Sequence, residues 1–368
     1  MNKEKSSKRP FSHPLYGSDL KNLLNLTSQY GSVSAEYRLQ WMTAIASSIG
    51  RSPFTALEKF TTSKAFKKIK DLKPPIFIVG HWRTGTTHLG NILSKSPQFG
   101  FVSPIATGLP WNLLLIGKWF RPLLEKSLPS DRLIDKVKVK PDSPQEDAFG
   151  IANMQTISFA HGLYFTSDFE KSFNKGVFLD GATKNEIDEW IEKHRYFLKK
   201  VYLDQNQKQL IIRNPAYTTR IPLLKKIWPG AKFIHIYRDP YRVFQSMRNY
   251  FRNLFPALAL QPYDHIDIDK VILENYVRMM NQIITDTKNL SESEFIEIRF
   301  EDLDQNALGI AESIYTQLQL SGFDADKPYL VNYLNSIKRY KKNVYQQSDE
   351  DKALIEKHWQ PFIDHWKY

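Results

Sequence analysis

Residues 76–87 read Ile76-Phe77-Ile78-Val79-Gly80-His81-Trp82-Arg83-Thr84-Gly85-Thr86-Thr87, and Pro74-Pro75 stand before them. The prolines block a helix, and the short apolar run closed by glycine predicts a buried strand. Two glycines five apart follow, then hydroxyl residues that open a helix. A strand turning through glycines into a helix N-terminus makes a cradle for an anion. Glycine allows the tight turn, backbone N–H groups converge, and the helix dipole favours negative charge. An ordinary glycine turn would share the spacing, but the complete strand–loop–helix context favours the cradle.

Outward from this stretch, similar runs recur at Leu210-Ile211-Ile212, at Phe233-Ile234-His235-Ile236-Tyr237 and at Phe295-Ile296-Glu297-Ile298. Helix-like segments follow each strand, over 84–94, 220–228, 241–250 and 302–318. Strand-then-helix repetition predicts an α/β fold with a parallel β-sheet flanked by helices on both faces. Ligands of such sheets bind beyond the carboxyl ends of the strands, where the motifs of this chain lie. Residues 1–73 pattern as helix without a strand. In the long insertion 101–205, Ile187, Trp190, Ile191, His194, Phe197, Leu198 and Val201 recur at helical spacing and read as core. No repeat, low-complexity tract or linker divides the chain. Residues 1–368 therefore read as one domain: a helical segment 1–73, a nucleotide-binding core of 74–100 and 206–320, and the insertion 101–205 on the acceptor side.

The loop shares glycine spacing with the G-x-x-x-x-G-K-[ST] phosphate loop, but Thr86 occupies the lysine position and the cation, Arg83, precedes the second glycine by two residues. A nucleoside triphosphatase or kinase needs that lysine on its β- and γ-phosphates, so this alternative lacks its central residue. A second site follows the strand ending at Tyr237, in Arg238-Asp239-Pro240-Tyr241-Arg242-Val243-Phe244-Gln245-Ser246. Asp239 suits an N-cap and Pro240 the first helical position. Arg238 and Ser246, eight residues apart, can face one anion if it lies along that helix. Arg242 reads as a surface charge.

Together these motifs resemble the sulfotransferase superfamily that uses 3′-phosphoadenosine-5′-phosphosulfate (PAPS), in particular a bacterial branch similar to carbohydrate and tyrosylprotein sulfotransferases. The resemblance covers residues 76–303. It implies a P-loop-like, sulfotransferase-type core and transfer of a sulfuryl group from PAPS, as co-substrate, to an acceptor hydroxyl. It assigns Arg83, Thr84, Gly85, Thr86 and Thr87 to the 5′-phosphosulfate, and Arg238 with Ser246 to the 3′-phosphate, gripped in bidentate fashion by the arginine. Phe300, in Arg299-Phe300-Glu301-Asp302-Leu303, stands where the family's aromatic approaches the adenine. Arg213, before Asn214-Pro215, stands beside the transferring group, or else is a salt-bridged strand end. Arg83 and Arg213 would stabilise charge growing on the bridging oxygen.

Two family features are missing. Phe101-Val102-Ser103-Pro104 stands where tyrosylprotein sulfotransferases carry a carboxylate base, and the G-x-x-G-x-x-K segment of cytosolic sulfotransferases is absent near the C-terminus. Lys338 to Lys342 are a candidate replacement over the 3′-phosphate. The base itself has three candidates. Asp142-Ser143-Pro144-Gln145-Glu146-Asp147 resembles the D-x-P-x-E-D run of the bacterial branch and offers Glu146 and then Asp147. The same residues pattern as a capping box, in which Glu146 only closes a helix start, and both readings stand open. His161 is the third, although a lone histidine among Ser158, Phe159 and Tyr164 is more often structural.

Composition sets the outer bounds. With 42% hydrophobic and 13% aromatic residues the chain can build a large core. It has no cysteine, which excludes a disulfide framework, a thiolate metal site and a cysteine nucleophile. No metal-ligand cluster is apparent in the sequence, and sulfuryl transfer does not require one. The net charge of +12 implies an anionic partner: a phosphorylated nucleotide, an anionic membrane face or nucleic acid. No nucleic-acid module appears, so a basic nucleic-acid-binding protein is the weaker reading. Met1 to Pro10 are charged and precede no apolar run, and no stretch reaches the ~18 apolar residues of a transmembrane helix. The nearest, 109–124, is interrupted by Lys118 and Arg121. These features imply a soluble cytoplasmic protein with at most peripheral membrane contact. Trp111, Leu113, Leu114, Leu115, Trp119 and Phe120 either floor a pocket for a lipid or aryl alcohol or belong to the core. Carbohydrate, lipid and phenol acceptors all stay open.

Overall fold

The computed structural model describes residues 13–69, 72–126, 128, 140–337 and 348–368. The charged stretch Met1 to Pro10 and the basic run Lys338 to Lys342 lie outside the described residues. The chain forms two compact units, one of residues 1–72, 102–204 and 251–266, the other of residues 73–101, 205–250 and 267–368.

The second unit holds a five-stranded sheet made of β1 (Ile76–Val79), β2 (Phe99–Phe101), β3 (Gln209–Arg213), β4 (Lys232–Tyr237) and β5 (Phe295–Arg299), in the order β2-β3-β1-β4-β5. Every pairing is parallel: Phe77 stands opposite Ile212 on one side and Phe233 on the other. The alternation of a strand sends Ile76, Ile78, Ile211, Ile234, Ile236, Ile296 and Ile298 to one face. There they meet Leu89, Ile92 and Leu93 of the helix Thr86–Leu93, Ala311 and Ile314 of the helix Ala307–Gln317, and Leu318 at that helix's C-cap. Phe77 points the other way, 5.6 Å from the Phe233 ring and 5.7 Å from Tyr217. Tyr276 and Trp359, stacked at 3.8 Å, join the helices Ile268–Thr287 and Asp349–Trp366 in the same unit.

Four strands fall where the apolar runs predict them. The fifth, β2, is a three-residue edge strand with glycine at its centre. Its neighbour explains that glycine: a Cβ on Gly100 would lie 2.7 Å from Gln205 Cβ. The segment 302–318, expected as one helix, is two, Phe300–Gln305 and Ala307–Gln317, because Asn306 caps the second by accepting from Gly309 N at 3.0 Å.

The first unit is helical. Its longest elements are Leu20–Tyr30, Arg38–Lys68 and Lys184–Asp204. In the last of these, Trp190, His194, Phe197, Leu198 and Val201 are buried, as the helical spacing predicts. Lys200 is also fully buried, paired with Glu58 and donating to the Pro110 carbonyl. Burial lowers its pKa to about 8, against the opposing pull of Glu58. Trp111, Leu113 and Leu115 are core, whereas Trp119 and Phe120 are exposed. Among the described residues no helix is long and apolar enough to cross a membrane.

Candidate active site

The loop after β1 has the backbone of an anion cradle. Gly80, Arg83 and Gly85 take positive φ values of 141°, 71° and 109°. Gly80 N–H donates to Thr218 Oγ1 at 2.8 Å, and Thr84 Oγ1 donates to His81 O at 2.7 Å, so side chains of the loop and of the turn Pro215–Thr219 fix its course. Gly85 caps the helix that begins at Thr86. No larger residue fits at that cap, because a Cβ there would lie 2.3 Å from Phe300 Cδ2. The N–H groups of the first helical turn have no intrahelical acceptor, which makes this end suited to phosphate oxygens.

Both motifs of the sequence converge on Arg83. Its Nε donates to Ser246 Oγ at 2.8 Å, and its carbonyl accepts from Arg238 Nη1 at 3.2 Å. The Arg238 guanidinium lies 4.3 Å from the Phe300 ring centroid, a cation–π contact that fixes the plane of its fork. The expected 5′ and 3′ subsites thus form one cluster of Arg83, Arg238, Ser246 and Phe300. Asp239 begins the next helix as its spacing predicts, accepting from Tyr241 N at 2.8 Å with Pro240 in the first position.

Arg213 ends β3 and is nearly fully buried. Its Nη1 donates to Thr87 Oγ1 at 3.1 Å, while Asn214 caps the following turn by accepting from Ala216 N at 3.0 Å. A Cβ on Gly90 would sit 3.1 Å from Arg213 Cδ, so this helical glycine makes room for the arginine's passage.

The candidate bases lie in the first unit. The capping-box expectation is corrected: the helix is Asp147–Ala152, and Glu146 stands at its N-cap without a side-chain capping bond. Ser143 Oγ instead accepts from Lys140 N at 3.0 Å. Gln145 N–H bonds to the Val102 carbonyl at 2.8 Å, so the chain before Glu146 is extended and the helix cannot begin at Ser143. Glu146 is 9% exposed. Asp147 is fully enclosed, 3.7 Å from His194 Nε2, and that imidazole stacks on Trp190 with centroids 4.9 Å apart. His161 is fully buried, with Nδ1 and Nε2 each 3.0 Å from a backbone carbonyl, of Thr156 and Ala152. Burial lowers its pKa to about 4. The neutral imidazole carries one N–H and so donates to one of these two carbonyls, which ties His161 into the backbone of its own unit.

Thr218, Gly90 and Glu301 were not singled out from the sequence. Glu301 accepts from Asp239 N at 3.2 Å and from Tyr368 Oη at 2.6 Å, steadying the turn beside Arg238. A glycine inside a helix is the one signal that pointed to Gly90. Among the described residues no group of three or more His, Asp or Glu is placed to hold a metal ion.

A family model described as "Sulfotransferase family" matches residues 74–325. The chain is 31% identical over 295 residues to omega-hydroxy-beta-dihydromenaquinone-9 sulfotransferase Stf3 of Mycobacterium bovis, across 80% of this chain and 75% of that one. The same protein from Mycobacterium tuberculosis matches equally. Among solved structures, sulfotransferase STF9 of Mycobacterium avium aligns with a TM-score of 0.70 at 12% identity, over 95% of this chain and 96% of that one. Sulfotransferase STF1 of Mycobacterium tuberculosis aligns at 0.65 and 15% identity, over 95% and 92%. These two likenesses bear on the fold, and it is the P-loop-like sulfotransferase fold.

Proposed function

The chain belongs to the sulfotransferase family, and from that premise we propose that its donor is PAPS and its acceptor a lipid-like alcohol. The donor reading rests on one observation: the anion-binding loop, two arginines, a buried serine hydroxyl and an aromatic ring meet in a single cluster around Arg83. A bisphosphorylated nucleotide matches that set, with two anionic groups for two arginines and a flat base beside Phe300. The acceptor reading rests on the relative of 31% identity named for an omega-hydroxylated dihydromenaquinone.

PAPS, when bound, supplies the sulfuryl group. The loop N–H groups with Thr84, Thr86 and Thr87 hold its 5′-phosphosulfate, and Arg238 with Ser246 holds the 3′-phosphate. As the acceptor oxygen bonds to sulfur, the bond from sulfur to the bridging oxygen breaks and negative charge grows on that oxygen. Arg83 and Arg213 meet that charge, and Glu146 takes the acceptor proton.

Arg238→Ala tests the donor reading. It should weaken binding of adenosine-3′,5′-bisphosphate at least about tenfold, the loss of charge-assisted bonds to one phosphate. Binding of adenosine-5′-phosphate should change little. Titration calorimetry reads both, and equal losses would remove Arg238 from the 3′-phosphate.

A further inference from the structure

The first unit carries an apolar stripe turned to solvent. On the helix Arg38–Lys68, Leu39, Met42, Ile49, Leu57 and Phe60 recur at helical steps along one side, and all are exposed, Phe60 to 80%. The opposite side fixes that orientation. Arg51 donates to the carbonyls of Tyr16 and Ser18, each at 2.7 Å, and to Asn112 Oδ1 at 2.9 Å. Glu58 accepts from Leu115 N at 2.7 Å and pairs with buried Lys200. The helix cannot roll to hide its apolar residues without breaking these bonds.

The Glu58 anchor also delivers more apolar surface. The helix Ile116–Trp119 starts directly after Leu115, and Trp119, Phe120 and Leu123 are exposed, Trp119 to 62%. An exposed apolar tract of this extent marks an interaction site.

Charge identifies the partner. The helix Arg38–Lys68 has six basic residues and one acidic; the acidic Glu58 and, of the basic ones, Arg51 turn inward, while Arg38, Lys59, Lys64 and Lys67 are exposed. Lys118 and Lys126 flank Trp119 and Leu123, while Arg121 between them is paired with Asp204 at 2.6 Å and lies 3.9 Å from Glu125. An apolar stripe rimmed by cations is the surface of a helix that lies in a lipid interface. We infer that this face docks the protein on an anionic lipid bilayer, with the apolar side chains in the acyl boundary and the lysines at the headgroups. Pairing of the stripe with a second copy would set like charges against each other. This inference goes beyond the donor and acceptor readings and does not depend on them, because vesicle binding is measured without PAPS or acceptor.

Flotation of the full chain with phosphatidylglycerol/phosphatidylcholine vesicles tests it. The wild type should float with these vesicles and far less with phosphatidylcholine alone, and raised salt should release it. Met42→Glu/Phe60→Glu should lower the partition coefficient more than about tenfold, because two apolar contacts with lipid are lost. Lys64→Glu/Lys67→Glu should remove the preference for phosphatidylglycerol. Should the first double variant fail to fold, the fluorescence of Trp119 carries the test: anionic vesicles should shift it to the blue, and Trp119→Phe should abolish that component. Absence of flotation by the wild type overturns the inference. So does equal flotation with both lipids, or a dimer by light scattering that Met42→Glu/Phe60→Glu dissolves while vesicle binding persists.

Discussion

Arg83→Ala should lower kcat by on the order of 10²–10³ while changing the Kd for adenosine-3′,5′-bisphosphate by less than about tenfold. The asymmetry follows from when the charge is needed. A guanidinium beside the bridging oxygen matters most as that oxygen ionises, so its loss falls on the transition state rather than on nucleotide binding. The backbone offers a control: Arg83 has φ 71°, a conformation that arginine and alanine alike adopt with strain. Arg83→Gly takes the same φ without that cost and separates backbone from charge. Both variants should lose kcat alike. Should the glycine variant retain wild-type kcat, the cation would not be what the reaction needs from this position. A variant altered only in KM would make Arg83 a binding residue.

Glu146→Gln should lower kcat by on the order of 10²–10⁴ with little loss of stability. The structure sharpens this expectation. A glutamate that closed a capping box would be replaced harmlessly by glutamine, which also reaches the N-cap N–H. Glu146 stands at the N-cap itself and makes no side-chain capping bond, so loss of a capping box would not account for a fall in rate. Asp147→Asn is the contrasting variant. Its carboxylate sits beside His194 inside the unit, so its effect should appear first in the melting temperature. Full activity of Glu146→Gln on a weakly acidic alcohol would remove Glu146 as the base.

The parts of the fold and site that could be read from sequence were those encoded locally. β1, β3, β4 and β5 are apolar runs bounded by turn residues, and the loop 80–87 carries its glycines and hydroxyls in one contiguous motif. Asp239-Pro240 marks its helix start in the same local way. The remaining parts depend on contacts distant in sequence. Strand β2 has too few residues to show a period and forms because Phe99 and Gly100 pair with Gln209 and Leu210. Thr218 holds Gly80 across 138 positions, and nothing in its neighbourhood announces it. The convergence of Ser246 and Arg238 on Arg83 is likewise a product of the parallel β1–β4 pairing, which sets the two strand ends side by side. The capping-box pattern at Ser143 misled because the chain there bonds to Val102 and stays extended, a tertiary choice that outweighs local helix signals. His161, a third candidate base by sequence, lies buried with backbone carbonyls on both sides of its ring, a setting that only the fold reveals.

The central claim is sulfuryl transfer from PAPS, and the most direct measurement follows labelled sulfur. The purified protein is incubated with PAPS labelled in its sulfuryl group and an isoprenoid with a terminal hydroxyl, and the products are separated by mass spectrometry. The account predicts labelled sulfate ester and adenosine-3′,5′-bisphosphate in equal amounts, with both reduced in parallel by Arg83→Ala. PAPS left intact across lipid, carbohydrate and phenol acceptors, together with magnesium-dependent turnover of ATP by the same preparation, would contradict it.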